Sequence, residues 1–358
     1  MLSNQHTKDM ERKQELGQFF TTNQNYILSN MTIPSGVLNI VEPFAGEGHL
    51  LEFIENKDNY NIECYDIESK KDYIVQMDTI NFPPSYTNKF IITNPPYLAR
   101  NKSVDKKVFD TYDVNDLYKC FIKNLISNHC LGGIVIVPLN FWSSIRKNDI
   151  LLRKLFLEQY KIIKLNIFEE KVFNDTSYTV CSFQFEKKQE ISVVNELFIT
   201  VYPTKSAITA VLNDDNNYLI GGDIYHLPRK GLIKISRLTT KNIASKNTNI
   251  LVKCIDDSLT NKIGLSIVPE QDVYIDSTPN QTARTYATLI IEPQIGIEGQ
   301  TILVDKFNTF LEEYRIKYNS LFLSNYRESK DLARKRISFE LVYRIVEHIL
   351  DTNPHLCG

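Results

Sequence analysis

The tetrapeptide Asn94-Pro95-Pro96-Tyr97 closes a short apolar run, Phe90-Ile91-Ile92, that reads as the end of a buried strand. Two successive prolines withhold two backbone donors and turn the chain out of helix or sheet. One reading is an ordinary turn, since Asn-Pro steps commonly open turns. The other is chemical. The Asn94 side-chain oxygen and the Pro95 carbonyl offer two acceptors aimed at one spot, and an aromatic amine can donate to both. The lone pair of such an amine is delocalised into its ring, which makes it a poor nucleophile. Two acceptors on a rigid Pro95-Pro96 support draw the nitrogen toward tetrahedral geometry, localise the pair and stabilise the charge that develops during attack. Tyr97 adds a stacking face, worth roughly 1–3 kcal/mol per base. A base inside a duplex reaches such a platform only when it is flipped out.

A second constellation, Glu42-Pro43-Phe44-Ala45-Gly46-Glu47-Gly48, follows directly on another strand-like run. Gly46 and Gly48 permit a sharp turn and close approach of a ligand to the backbone. Glu42 puts a carboxylate at the strand tip. Asp66 ends the next expected strand and suits a ribose diol; Asp78 ends the one after and can accept from an adenine amino group. A diphosphate would favour a third glycine and a helix N-terminus. Here His49-Leu50-Leu51 follow instead, and Glu47 would repel phosphates. A nucleoside with an amino-acid arm, S-adenosylmethionine, fits better than NAD or ATP, with Glu42 meeting its ammonium.

Such groups converge only if a sheet brings its strand tips to one edge. VLNIVEP (37–43), NIECYDI (61–67), YIVQMD (73–78), KFIITN (89–94) and GGIVIVPL (132–139) read as strands, and HLLEFIENK and IRKNDILLRKLFLEQY (145–160) as helices. Asp113 and Asn115 are N-cap candidates for a helix carrying Leu117, Phe121 and Leu125 at fourfold spacing. KIIKLNIF (161–168) and YTVCSFQF (178–185) close the block. Repeated strand–helix–strand units predict a parallel sheet covered on both faces, with ligands beyond the carboxyl ends of its strands. After Lys188 the rhythm changes, and an α+β domain ending in helices near 305–323 and 329–350 is expected.

Glu42-Pro43-x-Ala45-Gly46-x-Gly48 followed by Asn94-Pro95-Pro96-Tyr97 resembles the γ class of amino-methyltransferases that methylate adenine N6 in DNA. Leu16-Gly17-Gln18-Phe19-Phe20-Thr21-Thr22 is similar to the segment that closes over the methionine end of the cofactor in that class, with Thr22 where a proline is usual. Asp116-Leu117-Tyr118, Gly132-Gly133 and Pro138-x-x-Phe141 match as well. The resemblance covers about residues 16–187. It implies a Rossmann-like seven-stranded α/β sheet, mostly parallel with its last strands antiparallel, in a catalytic domain of 1–187 with a lid at 16–22. A C-terminal α+β domain, 188–358, would then recognise the DNA target. It also implies cofactor contacts from Thr21, Glu42, Phe44, Ala45, Gly46, Gly48, Asp66, Asp78 and Asn94, catalysis by Asn94, Pro95, Pro96 and Tyr97, and a flipped base between Tyr97 and Phe173. Relatives sharing the tetrapeptide act on rRNA or on protein glutamine, and a catalytically silent DNA-binding module is a further alternative.

The 358 residues carry a formal net charge of -2, which excludes a globally basic nucleic-acid binder but not a local basic patch. Arg100 and Lys102, with Arg334-Lys335-Arg336 on an expected helix, are the candidates for phosphate contacts. Double-stranded DNA is the expected partner, with room for a cognate restriction endonuclease. The six cysteines form no C-x-x-C pair, so no metal is expected, and scattered thiols suggest a reducing, cytoplasmic setting. The apolar runs are too short to span a bilayer.

Overall fold

The computed structural model describes residues 17, 21, 23–173, 178–190, 194–258, 260–277, 285–329 and 332–357. The chain divides into two compact units, 1–213 with 327–333, and 214–326 with 334–358.

The first unit is an α/β fold around one mixed sheet. Its strands are β1 (Asn39–Glu42), β2 (Asn61–Asp66), β3 (Val75–Gln76), β4 (Phe90–Thr93), β5 (Gly132–Pro138), β6 (Tyr160–Phe168), β7 (Val180–Lys187), β8 (Asn195–Tyr202) and β9 (Ser206–Leu212). They lie in the order β3-β2-β1-β4-β5-β7-β6-β8-β9. From β3 to β5 all pairings are parallel, whereas β7 runs antiparallel to both β5 and β6. Among the described residues the sheet therefore has nine strands rather than seven. The extra two, a hairpin of β8 and β9, add to β6 and carry the first unit past residue 187 to 213. Leu197, Ile199 and Val201 alternate inward along β8, so the change of rhythm after Lys188 marks a change of strand connection within the sheet.

Strand order reverses between β1 and β4, which register as Ile40 with Phe90 and Val41 with Ile91. Glu42 and Asn94 thus leave the sheet side by side, at the place where open α/β sheets bind ligands. β4 and β5 are buried along their whole length. Gly133 permits their close approach, since a Cβ there would stand 2.6 Å from the Ile91 carbonyl oxygen. Helices α1 (Gln24–Ile27), α2 (Lys107–Tyr112), α3 (Leu117–Asn128), α4 (Asn140–Ser143) and α5 (Lys147–Gln159) complete the unit. The N-cap position of α3 is Asp116, one residue beyond the expected Asn115. The segment after Gly48 forms only a 3-10 turn, His49–Phe53. Among the described residues no helix is long and apolar enough to cross a membrane.

In the second unit, β10 (Lys234–Arg237), β11 (Ile250–Lys253), β12 (Gly264–Ile267) and β13 (Tyr286–Glu292) form an antiparallel sheet ordered β10-β13-β11-β12. Two helices, α6 (Ile297–Tyr318) and α7 (Phe339–Thr352), contribute Leu303, Phe307, Leu311, Val342 and Ile345 to its core. Ser338 caps α7, its hydroxyl accepting from the Leu341 amide at 3.2 Å. Arg334, Lys335 and Arg336 therefore precede that helix and lie on a strand, Leu332–Arg336. Lys335 is buried and its carbonyl accepts from the Asp256 amide. The side chain of Arg334 lies outside the described residues.

Candidate active site

The loops leaving β1, β2, β3 and β4 surround a cavity of about 400 Å³, within the range of small-ligand sites. Phe44, Gly46, Asp66, Asp78, Asn94 and Pro96 line it. Six positions chosen from four separate stretches of sequence thus meet in one space.

The turn after β1 is built by its glycines and by Asp66. Gly46 and Gly48 adopt φ of 54° and 80°, the left-handed region that side chains other than glycine occupy at a cost. The Gly46 amide donates to Asp66 Oδ2 at 2.8 Å and the Glu68 amide to Oδ1 at 2.9 Å. Asp66 consequently ties the tip of β2 to the β1 turn. The Ala45 amide bonds the Tyr65 carbonyl. Asp78 holds its own loop, accepting from the Ile80 and Asn81 amides and, at 2.7 Å, from the Asn81 side chain.

Glu42 lies at the end of β1, only 1 % exposed and behind the residues that line the cavity rather than among them, and its Oε2 has no hydrogen-bond partner. Burial, then the charge of Asp66, raises its pKa well above the usual carboxylate range. A buried carboxylate without a partner is costly, and a cationic group is the ligand that removes the cost. The acids lining the cavity, Asp66, Asp78 and Asp105, outnumber its single cation, Lys107. This donor set fits a ligand bearing an ammonium and a sulfonium, with one carboxylate.

Asn94 is fixed from both sides. Its Nδ2 donates to Thr21 Oγ1 at 3.1 Å, and the Tyr97 hydroxyl donates to Oδ1. The same hydroxyl lies 2.9 Å from the Ile136 carbonyl. These contacts orient the amide with its nitrogen toward Thr21 and its oxygen toward Tyr97. The Gly17 carbonyl accepts from the Tyr97 amide at 2.8 Å. Of the expected lid, Gly17 and Thr21 are described, and both pack on the tetrapeptide; Leu16, Gln18, Phe19, Phe20 and Thr22 lie outside the described residues. Downstream of the lid, α1 is fastened to the sheet by Ser182 Oγ and Asn166 Nδ2 donating to the Ile27 and Ser29 carbonyls.

The other expected residues stand elsewhere. Pro95 is buried. Tyr97 and Phe173 are each 2 % exposed and outside the cavity wall. The Tyr97 ring meets Tyr118 and Tyr178 nearly at right angles, with centroids 6.2 and 6.0 Å away. Arg100 is bidentate to Asp110 Oδ1, at 3.0 and 2.8 Å, and Lys102 is exposed. Leu98 lines the cavity although nothing in its spacing singled it out, and so do Lys107 and the Leu117 that opens α3. The alternation Tyr97-Leu98 and the entry to α3 were the available signals. Among the described residues, no group of His, Cys, Asp and Glu could hold a metal ion.

Residues 42–173 match the sequence profile of a family described as Eco57I restriction-modification methylase. The stretch runs from Glu42 through the tetrapeptide to Phe173. No curated protein matches the chain. Among solved structures, the methyltransferase subunit of a type I restriction-modification system from Streptococcus thermophilus is 13 % identical, with a TM-score of 0.39, over 52 % of this chain and 47 % of that one. A DrdV–DNA complex is 14 % identical, TM-score 0.43, over 60 % and 32 %. The type IIG restriction endonuclease BpuSI is 10 % identical, TM-score 0.38, over 68 % and 37 %. The chain spans about half the length of these proteins or less.

Proposed function

We propose that the first unit transfers a methyl group from S-adenosylmethionine to the N6 amine of an adenine extruded from duplex DNA. The second unit would select the target sequence, as the modification half of a restriction-modification or self-marking system. The observation that carries this reading is the fixed amide of Asn94, at the wall of an acid-lined cavity and at the strand-order reversal. The match of residues 42–173 to a methylase family supports it.

Glu42 and the β1 turn would hold the amino-acid arm of the cofactor, Asp66 its ribose and Asp78 its adenine amine. When bound, S-adenosylmethionine supplies an electrophilic methyl group. Asn94 Oδ1 and the Pro95 carbonyl accept the two amine hydrogens and localise the nitrogen lone pair toward that carbon. The Thr21 and Tyr97 contacts hold Asn94 in this orientation before substrate arrives, so no reorganisation is needed during attack. The methylated nitrogen is acidic once cationic and yields its proton to water. Stacking of the base on Tyr97 requires Tyr178 to withdraw from that ring.

The test is transfer of tritiated methyl to mixed-sequence duplex DNA, with digestion to nucleosides. N6-methyladenine is expected from the wild type, and Asn94→Ala should lower the rate by about 10²–10³-fold, as for loss of a donor or acceptor acting on the transition state. Label in rRNA or protein alone, or in cytosine, would refute the assignment.

A further inference from the structure

A short antiparallel ladder follows the tetrapeptide. The Arg100 amide donates to the Asn115 carbonyl at 2.9 Å and the Leu117 amide to the Leu98 carbonyl at 3.2 Å, which pairs Ala99 with Asp116. Along paired extended segments, successive side chains leave on opposite faces and paired residues share a face. Leu98 and Leu117 both face the cavity. Tyr97, Ala99 and Asp116 therefore belong to the reverse face, and Tyr118, in the first turn of α3, meets Tyr97 there through the contact between their rings.

On that face two buried polar atoms have no hydrogen-bond partner. They are Asp116 Oδ1, in a residue 8 % exposed, and the Tyr118 hydroxyl, in a residue 1 % exposed. An unmet group of this kind is costly, and native folds retain few of them. Asp116 is held by the backbone, its carboxyl favoured by the Tyr118, Leu98 and Leu117 amides, whereas the Tyr118 hydroxyl has no such partner. Lys119, the nearest cation in sequence, is committed to Asp149 at 2.6 Å and Asn115 at 2.8 Å. The orphaned Tyr118 hydroxyl, beside the ring expected to carry the base, is what a polar ligand edge would complete.

We propose that Tyr118 forms the reading edge of the target-base pocket, its hydroxyl donating to a ring nitrogen that flanks the adenine amine, N1 or N7. The inference rests on the adenine-N6 reading above. With Asn94 and Pro95 holding the amine, a donor to the adjoining nitrogen separates adenine from bases that present another pattern there. Rejection of a substrate that leaves such a buried group unpaired is strong.

The experiment uses Tyr118→Phe in the full chain. Tyr118→Phe removes an oxygen that bonds nothing in the fold, so its melting temperature should equal or exceed that of the wild type while kcat/KM for DNA methylation falls about tenfold. DNA is then prepared with 7-deazaadenine or 1-deazaadenine in place of adenine. On the analogue lacking the contacted nitrogen, the wild type should lose its advantage over Tyr118→Phe. The proposal is overturned if Tyr118→Phe melts several degrees lower, if it methylates adenine DNA as fast as the wild type, or if its deficit persists on both analogues. Absence of wild-type transfer to adenine in any duplex would sink the underlying reading, and this one with it.

Discussion

Glu42 offers a direct probe of the cofactor assignment. Its carboxyl is 1 % exposed, Oε2 is unpaired, and burial followed by the Asp66 charge raises its pKa well above the ordinary range. The folded protein thus retains a proton that the unfolded chain releases. Between the unfolded glutamate pKa, about 4.3, and the raised folded value, unfolding sheds a proton, so stability falls as pH rises. A bound ammonium favours the carboxylate and reverses this. Binding of S-adenosylmethionine should therefore release a proton, measurable by isothermal titration calorimetry in buffers of different ionisation enthalpy. Glu42→Gln keeps the shape but cannot ionise. Losing one member of a buried charge pair costs roughly 2–5 kcal/mol. Ionising the wild-type carboxyl offsets part of that attraction, so the lower end applies: about 2 kcal/mol, or roughly thirtyfold in Kd. The variant should bind without proton release and should lose the decline of stability with pH. A Kd within threefold of wild type, with proton release intact, would refute the pairing of Glu42 with the ammonium.

Other substitutions probe the frame of the site. Gly17 has φ of 68°, and a Cβ there would stand 2.8 Å from the Tyr97 carbonyl carbon and oxygen; Gly17→Ala should lift this segment off the tetrapeptide and cut kcat at least tenfold, while far-ultraviolet circular dichroism stays unchanged. In Gly133→Ala the new methyl meets the Ile91 backbone at 2.6 Å, and overpacking of about 1–3 kcal/mol should appear as a lower urea midpoint together with weaker cofactor binding, because β4 carries Asn94. Asp149→Ala strands the Lys119 ammonium, which is 2 % exposed and 2.6 Å from its partner; the loss should be about 3–5 kcal/mol by chemical denaturation, and replacing Lys119 by Met in the same chain should recover much of it.

The placement of the cavity-lining residues was legible in local sequence because it depends on backbone restriction and strand ends. Two prolines stop β4 wherever they occur, and two glycines turn the chain after β1. Acids placed at Glu42, Asp66 and Asp78 reach one edge once the intervening strands are parallel. Apolar runs such as Ile134-Val135-Ile136-Val137 identify buried strands without reference to any partner. The pairing of those strands was less accessible. The β8–β9 hairpin joins β6 through contacts distant in sequence, so the end of the first unit could not be read from the loss of rhythm after Lys188. Arg334-Lys335-Arg336 sit among helix-compatible residues, yet Ser338 supplies the cap and the helix starts only at Phe339. Tertiary structure alone decided that Arg100 turns to Asp110, that Leu98 and Leu117 wall the cavity, and that Asp116 and Tyr118 keep unmet polar atoms behind Tyr97. The physical reason is that period and propensity act over a few residues, whereas burial and hydrogen-bond satisfaction are settled between segments that the chain brings together only on folding.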